Sequence, residues 1–433
     1  MERASAARDA EIVVLNTCTV TDGADKDARA SIRRLQRVNP ECRILVTGCY
    51  AQRAPEELAA LPGVTWVVGN SHKHRAAEIA TASQVTPSSP GFVSLAELSG
   101  TGPRTNVVIG DIFAHTELMA APIFEAANER TRPNLKVQDG CDNRCSFCVI
   151  PSVRGHSRSL PLHRVIAEVR TLVAAGYREV VISGINLGRW GRDLAEDSYH
   201  ASNRRLTDLI RAILDETALE KLRISSVEPM DWSDELIALV ASSPRIAKHA
   251  HVPLQSGSDA VLRRMHRKYR PWHYREKITK IREAMPSAAI GADVMVGFPG
   301  ETEAEFEETR RMIAELPFTY LHVFTYSARP GTPAAALPNQ IPVTVARERN
   351  RVLREMASKK KAAFMRSLVG TVVEAITLQS GGTGFTEALT ENYLKLKVPG
   401  RHEANRWMNL AVEGVDGEML VGHSVEERAC VVA

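Results

Sequence analysis

Apolar residues fall in short runs separated by amphipathic stretches along most of the chain. EIVVLN (11–16), RILVTG (43–48) and TWVVGN (65–70) read as buried strands, with helices over Asp25–Arg37 and Glu56–Leu61 between them. Strands alternating with helices predict a parallel sheet covered on both faces. Periodicity is lost between 82 and 131, where Ser, Pro, Gly and Thr cluster as in an interdomain linker. It resumes at Asn134 with strands LKVQDG (135–140), EVVISGIN (179–186), LRISSVEP (222–229), HAHVPLQS (249–256), AIGADVMVGF (289–298) and YLHVFTYS (320–327). Amphipathic helices such as Leu162–Ala175 and Arg204–Glu216 lie between them. About six βα units in sequence predict a complete or partial TIM-type barrel, with its active site at the C-terminal strand ends. A long helix from Val343 to about Ser367 then leads into short strands with turn residues, the pattern of a small antiparallel, OB-like barrel. The expected fold class is therefore α/β. Its expected parts are an N-terminal α/β domain (1–81), a linker (82–131), a central barrel (132–342), a basic connecting helix (343–366) and an all-β barrel (367–433).

With 44% hydrophobic and 24% charged residues, the 433-residue chain has enough apolar content for sizeable cores, which excludes general disorder. No run approaches the roughly 18 apolar residues of a membrane helix. The opening MERASAARDA offers no apolar signal region, so a cytoplasmic protein is expected. The 55 basic and 51 acidic residues leave a net charge of +4, too even to diagnose a polyanion binder by itself. Seven cysteines without an export signal argue against a disulfide framework and for metal, cluster or redox chemistry.

The strongest chemical signal is Cys141-Asp-Asn-Arg-Cys145-Ser-Phe-Cys148, three thiols spaced CxxxCxxC after a predicted strand. Three thiolates do not close a tetrahedral zinc site. They do hold three corners of a [4Fe-4S] cluster and leave the fourth iron open to a substrate such as S-adenosylmethionine. The competing readings are zinc with a distant fourth ligand and three buried structural thiols. Spacing and strand-end location favour the cluster.

CxxxCxxC at the end of a first barrel strand resembles the radical SAM superfamily, and VQDGCDNRCSFCVIPSVRGHSRS resembles its methylthiotransferases. NTCTVT (16–21), VTGCYAQ (47–52), SSVEP (225–229), HVPLQSGSD (251–259), DVMVGFPGET (293–302) and YSARPGTPA (326–334) match in family order, and the C-terminal barrel resembles a TRAM domain. CYAQ, CDNRCSFC and ARPGTPA are most similar to the bacterial branch that modifies N6-threonylcarbamoyladenosine in tRNA.

The resemblance implies a cofactor site built from Phe147, Gly184, Asn186, Glu228, Gln255, Ser256, Gly297 and Phe298, all but the first near C-terminal strand ends. It also implies a second, auxiliary [4Fe-4S] cluster, for which Cys18 and Cys49 match two of three ligands. The family's first auxiliary cysteine has no counterpart. Cys42 is a poor substitute: seven residues of extended strand put it roughly 23 Å from Cys49. Cys42 and Cys430 therefore read as bland. The expectation is a truncated N terminus or a defective auxiliary site, with about one stable cluster in place of two.

Basic clusters supply candidate tRNA contacts. Arg154 and Arg158 follow the cysteine loop. Arg263, Arg264, Arg267, Lys268 and Arg270 interleave with His266 and Tyr269 and precede Trp272. From Arg347 to Arg366 eight basic and two acidic residues give +6, including Lys359, Lys360 and Lys361. Cations interleaved with flat rings suit backbone phosphates and splayed bases.

The implied function is methylthiolation of C2 of N6-threonylcarbamoyladenosine next to the anticodon (position 37). The family mechanism uses S-adenosylmethionine twice, as methyl donor and as radical source, together with a reductant and a sulfur source that the sequence does not identify. Two alternatives remain open. One is the same chemistry on isopentenyl-adenosine tRNA or a ribosomal-protein aspartate; the other is an RNA-binding protein with impaired catalysis.

Overall fold

The computed structural model describes residues 6–82, 105–114, 118, 131–194, 205–378 and 384–425. They divide between two compact units, one holding residues 1–119, 140–156 and 327–336, the other 120–139, 157–326 and 337–433.

The first unit is built on a parallel sheet of β1 (Ile12–Thr17), β2 (Arg43–Gly48), β3 (Val64–Val68) and β4 (Asn106–Val108), in that order. β2 is central, and its side chains alternate between two cores. Ile44 and Val46 pack with Ile32, Tyr50 and Leu58 on one face, whereas Leu45 joins Trp66, Val68 and Ala80 on the other. Among the described residues, helices α1 (Asp22–Val38), α2 (Cys49–Arg53), α3 (Pro55–Ala59) and α4 (Ala76–Ala82) accompany the sheet. α1 is capped by the Thr21 hydroxyl, which accepts from the Ala24 amide at 3.1 Å. β4 lies within the stretch where periodicity fails. A three-residue strand is too short for a sequence pattern and exists because β3 offers it a ladder, Trp66 opposite Asn106 to Val68 opposite Val108. The same unit contains the cysteine loop, helix α5 (Ile150–Arg154) and the ARPGTPA segment.

In the second unit the LKVQDG run splits. β5 (Asn134–Lys136) enters the barrel, while β6 (Gln138–Asp139) pairs antiparallel with β7 (Arg158–Ser159). β8 (Glu179–Ser183) and β9 (Lys221–Ile224) join β5 in one parallel sheet. β10 (His249–His251), β11 (Ala289–Val296) and β12 (Tyr320–Thr325) form another, and a Leu222–Ile246 parallel bridge leads from β9 towards β10. The result is a six-stranded partial barrel. Its helices are α6 (Leu162–Ala174), α7 (Leu206–Glu216), α8 (Asp234–Ser242), α9 (Asp259–Arg264), α10 (Pro271–Ala284) and α11 (Glu303–Glu315). The strands are shorter than the apolar runs, because their last residues turn out of the ladder to form the mouth loops.

Helix α12 (Val343–Ser367) leads to β13 (Val372–Thr377), β14 (Phe385–Thr390), β15 (Lys395–Pro399), β16 (Trp407–Asp416) and β17 (Met419–Ser424). These close in the order β13-β14-β15-β17-β16, with β15 and β17 parallel, the OB-like barrel that was expected. Met365 of α12 enters its core beside Leu396, Leu410 and Leu420. The β14–β15 turn sits at the N-terminal end of the partial barrel. There Arg223 holds the Glu391 carbonyl at 2.9 Å and the buried Glu179 carboxylate at 2.6 Å, and Tyr393 leans on His249 with ring centres 5.3 Å apart. The far end of the barrel is left for the mouth. No helix among the described residues is long and apolar enough to cross a membrane.

Candidate functional site

Cys18 and Cys49 are each the first residue beyond paired strand ends, since Thr17 stands opposite Gly48 in the β1–β2 ladder. Neighbouring strands are about 4.8 Å apart, so both cysteines leave the sheet at the same end of adjacent strands. Gly48 makes this turn possible. Its φ is +102°, and a Cβ there would meet the Thr17 carbonyl oxygen at 2.3 Å. Cys18 is exposed and accepts from the Val20 amide at 3.5 Å. Cys49 is buried and accepts from Arg154 Nε at 3.1 Å and Asn70 Nδ2 at 3.5 Å. Cys42 is buried in the sheet core, where desolvation pushes its thiol pKa up. Cys430 lies outside the described residues.

Beside Cys18 a polar network runs through Thr19, Asp25, Arg53 and Arg329. Asp25 is 2% exposed; it accepts from Arg53 at 2.9 Å, from Thr19 at 2.6 Å, and from Arg329. Thr19 also accepts from Arg53 at 2.8 Å and Arg329 at 3.0 Å. Arg53 also lies 3.8 Å from the Glu57 carboxylate, so the two guanidiniums face two carboxylates. The arginine of the ARPGTPA motif therefore anchors to α1, and the Ala334 amide further along that motif donates to the Ser146 carbonyl of the cysteine loop at 2.9 Å. None of Thr19, Asp25, Asn70, Arg53 and Arg329 stands out in the sequence, apart from lying in or near NTCTVT and ARPGTPA.

Cys141, Cys145 and Cys148 lie half-buried in a loop pinned by the Cys141 amide to the Gly155 carbonyl at 3.1 Å, and by the Cys148 amide to the Cys145 carbonyl at 3.1 Å. Backbone amides point at their sulfurs, Asn143 N to Cys141 at 3.4 Å and Ile150 N to Cys148 at 3.4 Å. Gly140, at φ +69°, lets the chain pass so near His156 that a Cβ would lie 1.9 Å from its carbonyl oxygen. As placed, no three His, Cys, Asp or Glu side chains among the described residues form a closed metal-holding group. The fit of the three thiols to a cluster rests on their donor chemistry: soft ligands, half-exposed, with amide donors aimed at sulfur. Phe147 is half-buried in the same loop.

At the mouth of the barrel the residues expected at the cofactor divide by role. Gln138 Oε1 accepts the Asn186 amide at 2.7 Å, and Gly184 provides the room: a Cβ there would lie 2.7 Å from the same oxygen. Asn186 is buried. Glu228 pairs with Arg267, whose guanidinium also lies 5.0 Å above the Tyr269 ring. Gln255 adopts φ +61° and bridges to Val294, with its Oε1 buried and without a hydrogen-bond partner. Ser256 is fully buried against Thr309 at 3.1 Å, and Phe298 packs edge-on to Tyr326; both build the scaffold. The Gly297 amide donates to Glu301 at 2.7 Å, and burial raises the Glu301 pKa despite that bond and Arg349 beside it.

The candidate RNA-binding cations are dispersed by the fold. Arg158 is 6% exposed and pairs with Asp139 at 3.3 Å. Arg264 grips Glu305 through two nitrogens at 3.0 and 2.7 Å, and Arg267 is held by Glu228. Lys360 caps α11 by donating to the Ala314 and Leu316 carbonyls at 3.0 and 2.8 Å, and Lys361 pairs with Glu418 at 2.9 Å. Lys268 and Lys359 are exposed, as is Trp272; Arg263 is exposed too but pairs with Asp259 at 2.8 Å. A charge run in sequence does not distinguish cations facing solvent from cations that lock helices together.

Residues 135–313 match the radical SAM superfamily, and residues 1–69 match uncharacterized protein family UPF0004. The chain is 36% identical to the threonylcarbamoyladenosine tRNA methylthiotransferase MtaB of Aquifex aeolicus, over 93% of this chain and 91% of that one. It is 35% identical to the protein of the same name in Bacillus subtilis, over 93% and 85%. It is 32% identical to the tRNA-2-methylthio-N(6)-dimethylallyladenosine synthase of Thermobifida fusca, over 96% and 78%. Among solved structures, the radical S-adenosylmethionine methyltransferase TsrM of Kitasatospora setae, with cobalamin and a [4Fe-4S] cluster bound, superposes with a TM-score of 0.53. That match has 16% identity and covers 75% of this chain and 66% of that one, a likeness of fold.

Proposed function

The chain belongs to the radical SAM methylthiotransferase family, and from that premise we propose that it adds a methylthio group to C2 of N6-threonylcarbamoyladenosine next to the tRNA anticodon, at position 37. The observation that carries the choice of substrate is the near-full-length similarity to proteins named for that nucleoside in Aquifex and Bacillus. Cys141, Cys145 and Cys148 would hold a [4Fe-4S] cluster; Cys18 and Cys49 would supply only two thiolates to a second, since Cys42 is buried in the sheet core. A cluster held by Cys141, Cys145 and Cys148, with S-adenosylmethionine, would supply one-electron radical chemistry able to act on an inert purine C–H bond.

The protein's own part is binding, orientation and exclusion of water. The Gln138–Gly184–Asn186 contact fixes the loop after β8, and Gln255 presents its unpartnered oxygen after β10. The Glu228–Arg267 pair holds a carboxylate in place after β9. Arg263, Lys268 and Lys359 contact tRNA phosphates, with Trp272 available for stacking and the OB-like barrel as a further RNA platform. The reductant and the sulfur source are separate components, and the reaction belongs in the cytoplasm, where tRNA is processed.

The test is mass spectrometry of nucleosides from tRNA of cells lacking the gene. Loss of 2-methylthio-threonylcarbamoyladenosine, with accumulation of the unthiolated nucleoside, is expected. Loss of the dimethylallyl-linked methylthio nucleoside instead would transfer the protein to the branch of the Thermobifida relative.

A further inference from the structure

Strands β10, β11 and β12 of the partial barrel present a polar inner face. Ala250, Ile290, Ala292 and Val294 are fully buried on the side that the helices cover, so the alternate residues face the lumen. A packed barrel fills such positions with branched apolar side chains. Here they are His249 and His251 of β10, Gly291 and Asp293 of β11, and Tyr320 and His322 of β12.

These side chains lie in layers. Gly291 stands opposite both His251 and Tyr320, and Asp293 stands opposite His322. Nearest the N-terminal end, His249 Nε2 and the Tyr320 hydroxyl are 2.6 Å apart, and Tyr393 closes the floor against the two rings at 5.3 and 6.3 Å. A Cβ on Gly291 would lie 2.0 Å from the Tyr320 ring, so the glycine is what admits that tyrosine. In the next layer His251 stacks on Tyr320 at 6.0 Å, and the His322 ring lies 5.6 Å from His251. Gln255 follows at the mouth, where the Leu254 and Gln255 amides donate to the Asp293 carbonyl at 3.1 and 2.8 Å.

The middle layer has hydrogen-bonding capacity left over. His251 Nε2 is buried and makes no hydrogen bond, although Asp293 Oδ1 is 3.4 Å away. The Asp293 side chain keeps 28% of its surface exposed and His322 is exposed, at positions that point into a barrel. Towards the floor, Arg132 and Arg223 share Glu179 as ion-pair partner, so positive charge there offsets Asp293. A buried polar atom without a partner is costly. A chamber lined by two imidazoles and a carboxylate therefore suits a ligand that both accepts and donates hydrogen bonds. It suits an aliphatic ligand poorly, because the same groups would lose water and gain nothing.

We propose that the His251–Asp293–His322 layer binds the threonylcarbamoyl substituent of the substrate base. The imidazole N–H groups donate to its carboxylate, and Asp293 accepts from its hydroxyl or carbamoyl N–H. The inference rests on the substrate reading under the proposed function, and it makes these three residues the ones that separate a threonylcarbamoyl from a dimethylallyl substituent. That substituent hangs from N6, away from the reacting C2, and so needs a subsite of its own.

The experiment measures binding to the full chain, reconstituted without oxygen and supplied with S-adenosylmethionine but no reductant, by fluorescence anisotropy. The probes are three anticodon stem-loop RNAs that differ only at position 37, carrying threonylcarbamoyladenosine, dimethylallyladenosine or adenosine. The parent is expected to bind the threonylcarbamoyl loop about a hundredfold more tightly than the adenosine loop, as two charge-assisted hydrogen bonds supply. His251→Phe and His322→Phe keep a ring in place and remove the N–H, and each should cut that ratio about tenfold. His322→Gln retains a donor and should cut it less. The ratio cancels any change in fold that weakens all three RNAs alike. A parent that prefers the dimethylallyl loop overturns the substrate reading and the proposal with it. A parent that binds the three loops alike overturns the proposal and leaves the substrate to the nucleoside profile. A threonylcarbamoyl preference that survives both Phe variants overturns the role of this layer alone. If those variants keep the preference but lose S-adenosylmethionine in equilibrium dialysis without RNA, the chamber belongs to the cofactor and the proposal falls.

Discussion

Arg329 and Asp25, 304 residues apart in sequence, form an ion pair in which both side chains are 3% exposed. Asp25 also accepts from Arg53, which lies 3.8 Å from the more exposed Glu57 as well. Removing one partner of a buried pair costs about 3–5 kcal/mol, because an uncompensated charge remains. Asp25→Ala is expected to lie at the upper end of that range, since it removes the buried carboxylate from both arginines and leaves Arg53 only the more exposed Glu57. Arg329→Met should cost less, since Arg53 still faces Asp25. Urea unfolding combined with hydrogen exchange at the α1 amides checks the order. Equal stability of Asp25→Ala and the parent would mean the network is not formed.

Cys141→Ala, Cys145→Ala and Cys148→Ala are each expected to abolish reductive cleavage of S-adenosylmethionine, because an open-iron cluster needs all three thiolates to seat the cofactor. The measurement is 5′-deoxyadenosine formed by anaerobically reconstituted protein. A variant that keeps the parental rate removes that cysteine from the ligand set.

Gly48→Ala is expected to disturb the auxiliary site without touching a ligand. Its Cβ would meet the Thr17 carbonyl oxygen at 2.3 Å and the Thr17 amide at 2.7 Å, at a φ that side chains rarely adopt. Strain of this kind amounts to about 1–3 kcal/mol, and relief requires the ends of β1 and β2, with Cys18 and Cys49, to move apart. The melting temperature should fall accordingly. Unchanged thermal stability would show that the turn accommodates a methyl group.

The three consecutive lysines should separate by role. Lys359 is exposed, so Lys359→Ala should weaken tRNA binding and lower the slope of log affinity against log salt by about one, with stability unchanged. Lys360→Ala removes the cation capping the carbonyls at the end of α11 and should cost about 1 kcal/mol of stability. Filter binding over a salt series and urea unfolding distinguish the two. The reverse pattern would refute both assignments.

Stability should fall on acidification below neutrality through His249. Burial, followed by the charge of Arg223, holds its pKa well below the ordinary imidazole value of 6.5. The unfolded chain therefore takes up a proton as pH falls through about 6.5 while the folded chain does not, so unfolding gains about 1.4 kcal/mol per pH unit from this group. Its contribution is constant above that pH. His249→Phe, which also gives up the 2.6 Å contact with the Tyr320 hydroxyl, should be less stable at pH 8 yet show a shallower decline between pH 6.5 and 5. Parallel pH profiles for the two proteins would exclude His249 as the source.

Much of this molecule can be read from local pattern. Apolar runs such as RILVTG and AIGADVMVGF specify strands because burying them on both faces is favourable wherever they lie in the chain. The amphipathic 343–367 segment forms the helix its periodicity predicts, and turn-punctuated short strands after Gly370 close into the five-stranded barrel. CxxxCxxC is legible for a similar reason: its three sulfurs belong to one short loop, so their chemistry is encoded in spacing. Tertiary structure decided what depends on segments distant in sequence. β4 exists only because β3 is there to pair with it. Whether Lys360 faces RNA or caps α11, and whether Arg158 meets a phosphate or Asp139, depends on which carbonyl or carboxylate the fold brings within 3.3 Å. Arg154 reaches Cys49 across 105 residues, a relation with no local signature. Backbone propensity and hydrophobic burial act on neighbours in sequence and survive in the pattern. A charged side chain's partner is chosen by proximity in space, and only the folded chain contains that information.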